Sequence, residues 1–104
     1  MKHQFSDITA KHLHENLINN VHVYILDVRE PIEYHTYNIG GLNIPLSRLA
    51  DSLTTLNYRQ DDEIVVICQR GLRSETACNL LRSLGFSNVR NLSGGLLAYR
   101  RMIQ

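Results

Sequence analysis

Residues 64–74 read Ile64-Val65-Val66-Ile67-Cys68-Gln69-Arg70-Gly71-Leu72-Arg73-Ser74, a β-branched apolar block running into a polar loop with one cysteine, one glycine and two arginines. A continuous β-branched run bounded by polar sequence predicts a strand buried on both faces. Behind the loop, Glu75 to Leu84 reads as a helix that stops at Gly85, a residue suited to the left-handed C′ position. Strand, short loop and helix in this order are the repeating unit of a parallel α/β sheet. Cys68 therefore falls at the carboxyl end of a strand and beside a helix N-terminus, where such sheets bind their ligands.

That position has chemical consequences. Unpaired backbone N–H groups converge at a helix N-terminus, which carries a partial positive charge of roughly half a unit. Arg70 and Arg73 add fixed positive charge and favour thiolate over thiol. Gly71 permits a backbone conformation that would curl the amides of Gln69 to Arg73 into an anion nest. Cysteine commonly serves only as a small buried hydrophobe. Here a strand end, a glycine, paired arginines and a helix start coincide, and the expectation is a nucleophile.

Working outward, strands and helices alternate. His3 to Ser6 is a candidate first strand, and Thr9 caps a helix running to about Asn19 with Leu13, Leu17 and Ile18 as its apolar stripe. Val23 to Asp27 is the second strand, with Pro31 in the first turn of the helix that follows. Leu42 to Ile44 is a short third strand, followed by a helix from about Ser47 to Leu53 and a polar loop from Asn57 to Glu63. After the fourth strand, Ile64 to Ile67, come a fifth strand over Val89 to Leu92 and a last helix from about Gly95. The fold class expected is α/β, a mainly parallel five-stranded sheet with helices on both faces. Length, 104 residues with 43% hydrophobic, suits one domain over 1–104.

Three segments carry a family resemblance. Cys68-Gln69-Arg70-Gly71-Leu72-Arg73 resembles the active-site loop of the rhodanese (thiosulfate sulfurtransferase) family. Asp27-Val28-Arg29, with Glu33-Tyr34 following, is similar to that family's Asp-Val-Arg signature and trailing Glu-Tyr. Leu92-Ser93-Gly94-Gly95 resembles the Leu-x-Gly-Gly that opens its last helix. The resemblance implies a three-layer rhodanese-like sandwich and a catalytic Cys68. It also implies a persulfide-binding loop of Gln69, Arg70, Gly71, Leu72 and Arg73, in which Arg70 and Arg73 hold an anionic donor. Donors would be thiosulfate or a persulfide; acceptors would be cyanide, a small thiol or a dithiol protein. No cofactor or metal is required, because the cysteine is the carrier. Between Tyr37 and Pro45 the chain departs from the family pattern, with Asn38, Gly40 and Leu42 where His, Pro and Ala are usual. Tyr99 likewise replaces a common Trp.

Two other functional classes compete. A cysteine phosphatase or arsenate reductase on the same fold has one more residue between cysteine and arginine. The four residues between Cys68 and Arg73 suit a single sulfur atom better. A silent binding or regulatory module usually lacks the cysteine, which this chain keeps. A net charge of +1 argues against a nucleic-acid surface, and no apolar run approaches membrane-spanning length. Two cysteines ten positions apart form neither a zinc spacing nor a disulfide framework, which points to a reducing cytoplasm. Cys78 is either a core filler or a resolving thiol. Asp27 and Arg29 form an ion pair or turn cap rather than a catalytic pair, and Glu33 has the spacing to pair with Arg29. His12 and His14 lie on different sides of a helix and form no metal motif.

Overall fold

The computed structural model describes residues 7–104. Four strands, β1 (Tyr24–Asp27), β2 (Leu42–Asn43), β3 (Ile64–Ile67) and β4 (Val89–Asn91), form a sheet of order β2-β1-β3-β4. Every pairing is parallel, with Leu26 opposite Leu42 and Val66, and Val66 opposite Asn91. Five strands were expected, and four are present among the described residues. The candidate strand at His3 to Ser6 lies outside them. Just beyond it, Ile8 makes one parallel bridge to Leu92, extending the sheet at the β4 edge.

Side-chain alternation along β1 and β3 divides the core into two clusters. Leu26, Ile64, Val66 and Cys68 pack with Leu49 of α3 (Leu46–Ser52) and Ala77, Cys78 and Leu81 of α4 (Leu72–Ser83). Ile25, Val65 and Ile67 face the other way, against Leu13 of α1 (Ala10–Ile18) and Leu96 and Tyr99 of α5 (Gly95–Ile103). All four residues of β3 are buried, because helices cover both faces of that strand. The result is three layers, as expected.

Local chemistry sets the helix ends. The Thr9 hydroxyl accepts the His12 amide at 3.1 Å and caps α1. Glu33 Oε1 accepts the Glu30 amide at 3.0 Å, which starts α2 (Pro31–Thr36) with Pro31 in its first turn. After α3 the chain tightens into a 3₁₀ turn, Leu53–Thr55. The largest boundary correction falls at α4, expected to begin at Glu75 and observed from Leu72. Gly71, at φ 95°, turns the chain sharply enough for the helix to start at the next residue. Cys68 and the α4 N-terminus are thereby brought together across only three intervening residues.

Sheet order places the site. The chain leaves β1 toward β2 on one side and leaves β3 toward β4 on the other, so a crevice opens past the carboxyl ends of β1 and β3. Val28 and Arg29 follow β1 there, and Cys68 follows β3. The Val28 amide donates to the Ile67 carbonyl at 3.0 Å and keeps the two chains aligned to the rim.

Candidate active site

Cys68 continues the β3 alternation into the core and is 1% exposed. Its Sγ accepts the Gly71 amide at 3.1 Å and the Ser74 amide at 3.3 Å, and lies 3.2 Å from the Ser74 hydroxyl. Burial pushes the thiol up, but the Ser74 hydroxyl and the amides of Ser74, Gly71 and Arg70 outweigh it. The net direction is below an ordinary thiol. Those amides are free to point at sulfur because they belong to the first turn of α4 and the loop before it.

The loop is held from behind by α5. The amides of Leu96 and Leu97 donate to the carbonyls of Cys68 and Gln69 at 2.9 and 3.0 Å. With these carbonyls turned toward α5, the Gln69 and Arg70 N–H groups, antiparallel to them across trans peptides, face away from α5. Gly95 makes the approach possible, since a Cβ there would land on the Gln69 carbonyl and the Arg70 amide. Neither this support nor the contacts of Ser74 with Cys68 and of the Asn91 side chain with Ser74 and the Gly71 carbonyl were anticipated from sequence. Ser74 becomes visible only once α4 is known to start at Leu72, and a lone Asn91 in a strand carries no signal at all.

Gln69, Arg70, Leu72 and Arg73 line the mouth over Cys68, a cavity of ≈ 270 Å³. Leu72 is 71% exposed at its lip. Among the described residues Arg70 is exposed and makes no ion pair. Arg73 differs from expectation. Its guanidinium forms a forked pair with Glu33, at 2.6 Å to Oε1 and 2.9 Å to Oε2. Glu33 was expected to pair with Arg29; the fold brings it to Arg73, forty positions away. Arg73 holds the Glu33 carboxyl down at about 2, against a smaller opposing effect of burial. Arg29 instead makes a buried pair with Asp27, 2.8 Å between Nη2 and Oδ2, and donates to the Tyr37 carbonyl at 2.7 Å. That is the structural role anticipated for both residues: the pair braces the end of β1 against the end of α2.

Other expectations fall into place around this site. Cys78 is buried in the core on α4, and burial pushes its thiol up to about 12, so it is a poor nucleophile. It borders a separate cavity of ≈ 370 Å³ with Asp7, Glu75, Asn79, Arg82 and Asn91. The departures between Tyr37 and Pro45 form a self-contained turn. Asn38 donates to the Tyr34 carbonyl and accepts the Gly40 amide, both at 2.9 Å, and Gly40 adopts φ 95°, which proline cannot. Tyr99 is buried between α5 and α1, its hydroxyl 3.1 Å from His14 Nδ1.

Comparison with known proteins agrees with this fold. A family model described as Rhodanese-like domain matches residues 9–102. A curated protein named Sulfurtransferase from Allochromatium vinosum is 29% identical over 97 residues, covering 92% of this chain and 89% of its own length. The probable adenylyltransferase/sulfurtransferase MoeZ of Mycobacterium tuberculosis is 31% identical over 100 residues; the match covers 95% of this chain but 26% of that protein. This chain thus spans about a quarter of that relative's length. A rhodanese-related protein from Thermoplasma volcanium superposes with a TM-score of 0.79 at 32% identity, covering 94% of this chain and 93% of the other.

Proposed function

We propose, from the premise that this chain belongs to the rhodanese-like domain family of sulfurtransferases, that Cys68 carries sulfane sulfur between a donor and an acceptor. The observation that supports this most is a buried sulfur that nevertheless faces converging N–H groups and is shifted toward thiolate. With thiosulfate, the Cys68 thiolate attacks the outer sulfur. An S–S bond forms, the bond to the sulfonate sulfur breaks, and its electron pair leaves with sulfite. Cys68–S–S⁻ remains, carrying the one negative charge the thiolate brought. An acceptor thiolate or cyanide then attacks the terminal sulfur and regenerates the Cys68 thiolate. No net oxidant, metal or organic cofactor enters this cycle.

In this reading the amides of Gln69 to Arg73 form the nest for the terminal sulfur, as oxyanion-hole donors do for oxygen. Arg70 is the guanidinium left to meet an anionic donor, since Arg73 is engaged by Glu33. The exposed Leu72 and the small mouth fit compact donors and acceptors, or a thiol presented on an extended segment of a partner protein. A reducing compartment such as the cytoplasm would keep Cys68 free; no helix among the described residues is long and apolar enough to cross a membrane. The test is thiocyanate production from thiosulfate and cyanide. Wild-type protein should turn over and Cys68→Ser should not. Equal rates from the two would remove the proposal.

A further inference from the structure

Ser74 and Asn91 are both buried beside Cys68, and neither lines the mouth. The Asn91 amide group spans two partners. Its Nδ2 donates to the Gly71 carbonyl at 3.1 Å, which fixes the orientation of the side chain. Oδ1 must then face Ser74, and the Ser74 hydroxyl donates to it through a short hydrogen bond. The same hydroxyl lies 3.2 Å from Cys68 Sγ. A hydroxyl has one proton, and here two acceptors stand on either side of it.

With Cys68 as a thiol the chain is satisfied throughout. S–H donates to the Ser74 oxygen, O–H to Asn91 Oδ1, and N–H to the Gly71 carbonyl. With Cys68 as a thiolate the hydroxyl proton is drawn to sulfur, and Asn91 Oδ1 loses the Ser74 donor it holds in the thiol state. We infer that Asn91 is a positioning residue for Cys68, competing with its sulfur for the single proton of Ser74. The competition ends once Sγ is bonded to a second sulfur. The charge then lies on the terminal atom in the nest, and the Ser74 proton returns to Asn91. Asn91 thereby disfavours the empty thiolate relative to the loaded state.

This inference rests on Cys68 being the nucleophile proposed above, but its test reads the thiol directly and requires no sulfur transfer. Among the described residues, the charged and titratable groups around Cys68 and Asn91 are Arg70 and the Arg73–Glu33 pair at the mouth, the Asp27–Arg29 pair at the end of β1, Cys78 on α4, and Asp7, Glu75 and Arg82 around the cavity that Asn91 borders. Each is retained in every variant below. The pH dependence of iodoacetamide alkylation of Cys68 is followed in the wild-type protein, Ser74→Ala, Asn91→Val and the double variant. Ser74→Ala should raise the inflection by roughly half to one pH unit, the scale of one hydrogen bond. Asn91→Val should lower it by a similar amount, because the freed hydroxyl turns fully to sulfur. Valine suits a strand, and Asn91→Ala serves as a second variant if Asn91→Val does not fold. The double variant should match Ser74→Ala, since with no hydroxyl there is no proton to compete for. A merely structural role would loosen the loop and raise the inflection in both single variants. An unchanged or raised inflection in the folded Asn91 variant, or a double variant that departs from Ser74→Ala, overturns the inference.

Discussion

A buried cysteine ordinarily holds its proton, as Cys78 does; Cys68 differs because hydrogen-bond donors outweigh the same desolvation. Both thiols lie in one core cluster, so depth in the fold does not separate them. What separates them is the first turn of α4, whose amides point at one sulfur and not the other. The two arginines divide in the same way. Among the described residues Arg70 has no ion-pair partner, whereas the charge of Arg73 is already matched by Glu33. Arg70→Ala should therefore lower kcat/KM for thiosulfate about ten- to a hundredfold at nearly unchanged stability, the scale of one charge-assisted contact. Arg73→Ala should shift the denaturation midpoint measurably and lower kcat/KM less. The reverse ranking, in parallel kinetic and unfolding measurements, would return the donor-binding role to Arg73. The residue types at the site were legible in sequence, because Cys, Gly and Arg spaced this closely after a strand leave few readings. The partner of Arg73 was not, since Glu33 belongs to another element and the nearest arginine or lysine along the chain is Arg29.

Between elements, three attachments hold the active-site loop: the Glu33–Arg73 pair from α2, the amides of Leu96 and Leu97 from α5, and the side chain of Asn91 from β4. The first is testable by pH. The folded-state value of Glu33, about 2, lies below the ordinary 4.5. Its contribution to stability is thus fully present above about pH 4.5 and is lost as pH falls toward 2. Urea midpoints of the wild-type protein and Glu33→Gln should differ by a constant amount near neutrality and converge through that acid window. A constant difference down to pH 2 would mean that the carboxylate charge is not what Glu33 contributes. The second attachment depends on Gly95. Gly71→Ala meets no atom closer than 3.5 Å and should cost only the left-handed strain of about 1–2 kcal/mol. Gly95→Ala suffers that strain and also displaces the Gln69 backbone, so it should cost more and lower activity in the folded fraction. Equal midpoint shifts for the two would weaken the argument from close packing. Element identities were largely readable from apolar patterning, and the errors lie where one glycine decides a boundary. Gly71 starts α4 three residues before the expected Glu75, because left-handed φ replaces the usual cap.

Across the whole molecule, the covering of both sheet faces buries Cys68 and fixes the loop that its hydrogen bonds come from. The cluster with α3 and α4 surrounds the sulfur, while the cluster with α1 and α5 fixes the loop from the other side of β3. The three-layer arrangement was legible because β3 reads as apolar on both faces and the elements alternate. The expected strand at His3 to Ser6 lies outside the described residues, and next to it Ile8 bridges Leu92 at the β4 edge. On the proposed reading, this architecture makes Cys68 a sulfur carrier. Intact-mass spectrometry after incubation with thiosulfate tests it most directly. The protein should gain one sulfur atom, lose it again to cyanide, retain the gain in Cys78→Ser and show none in Cys68→Ser. No gain in the wild-type protein, or a gain that persists without Cys68 and vanishes without Cys78, would contradict the claim.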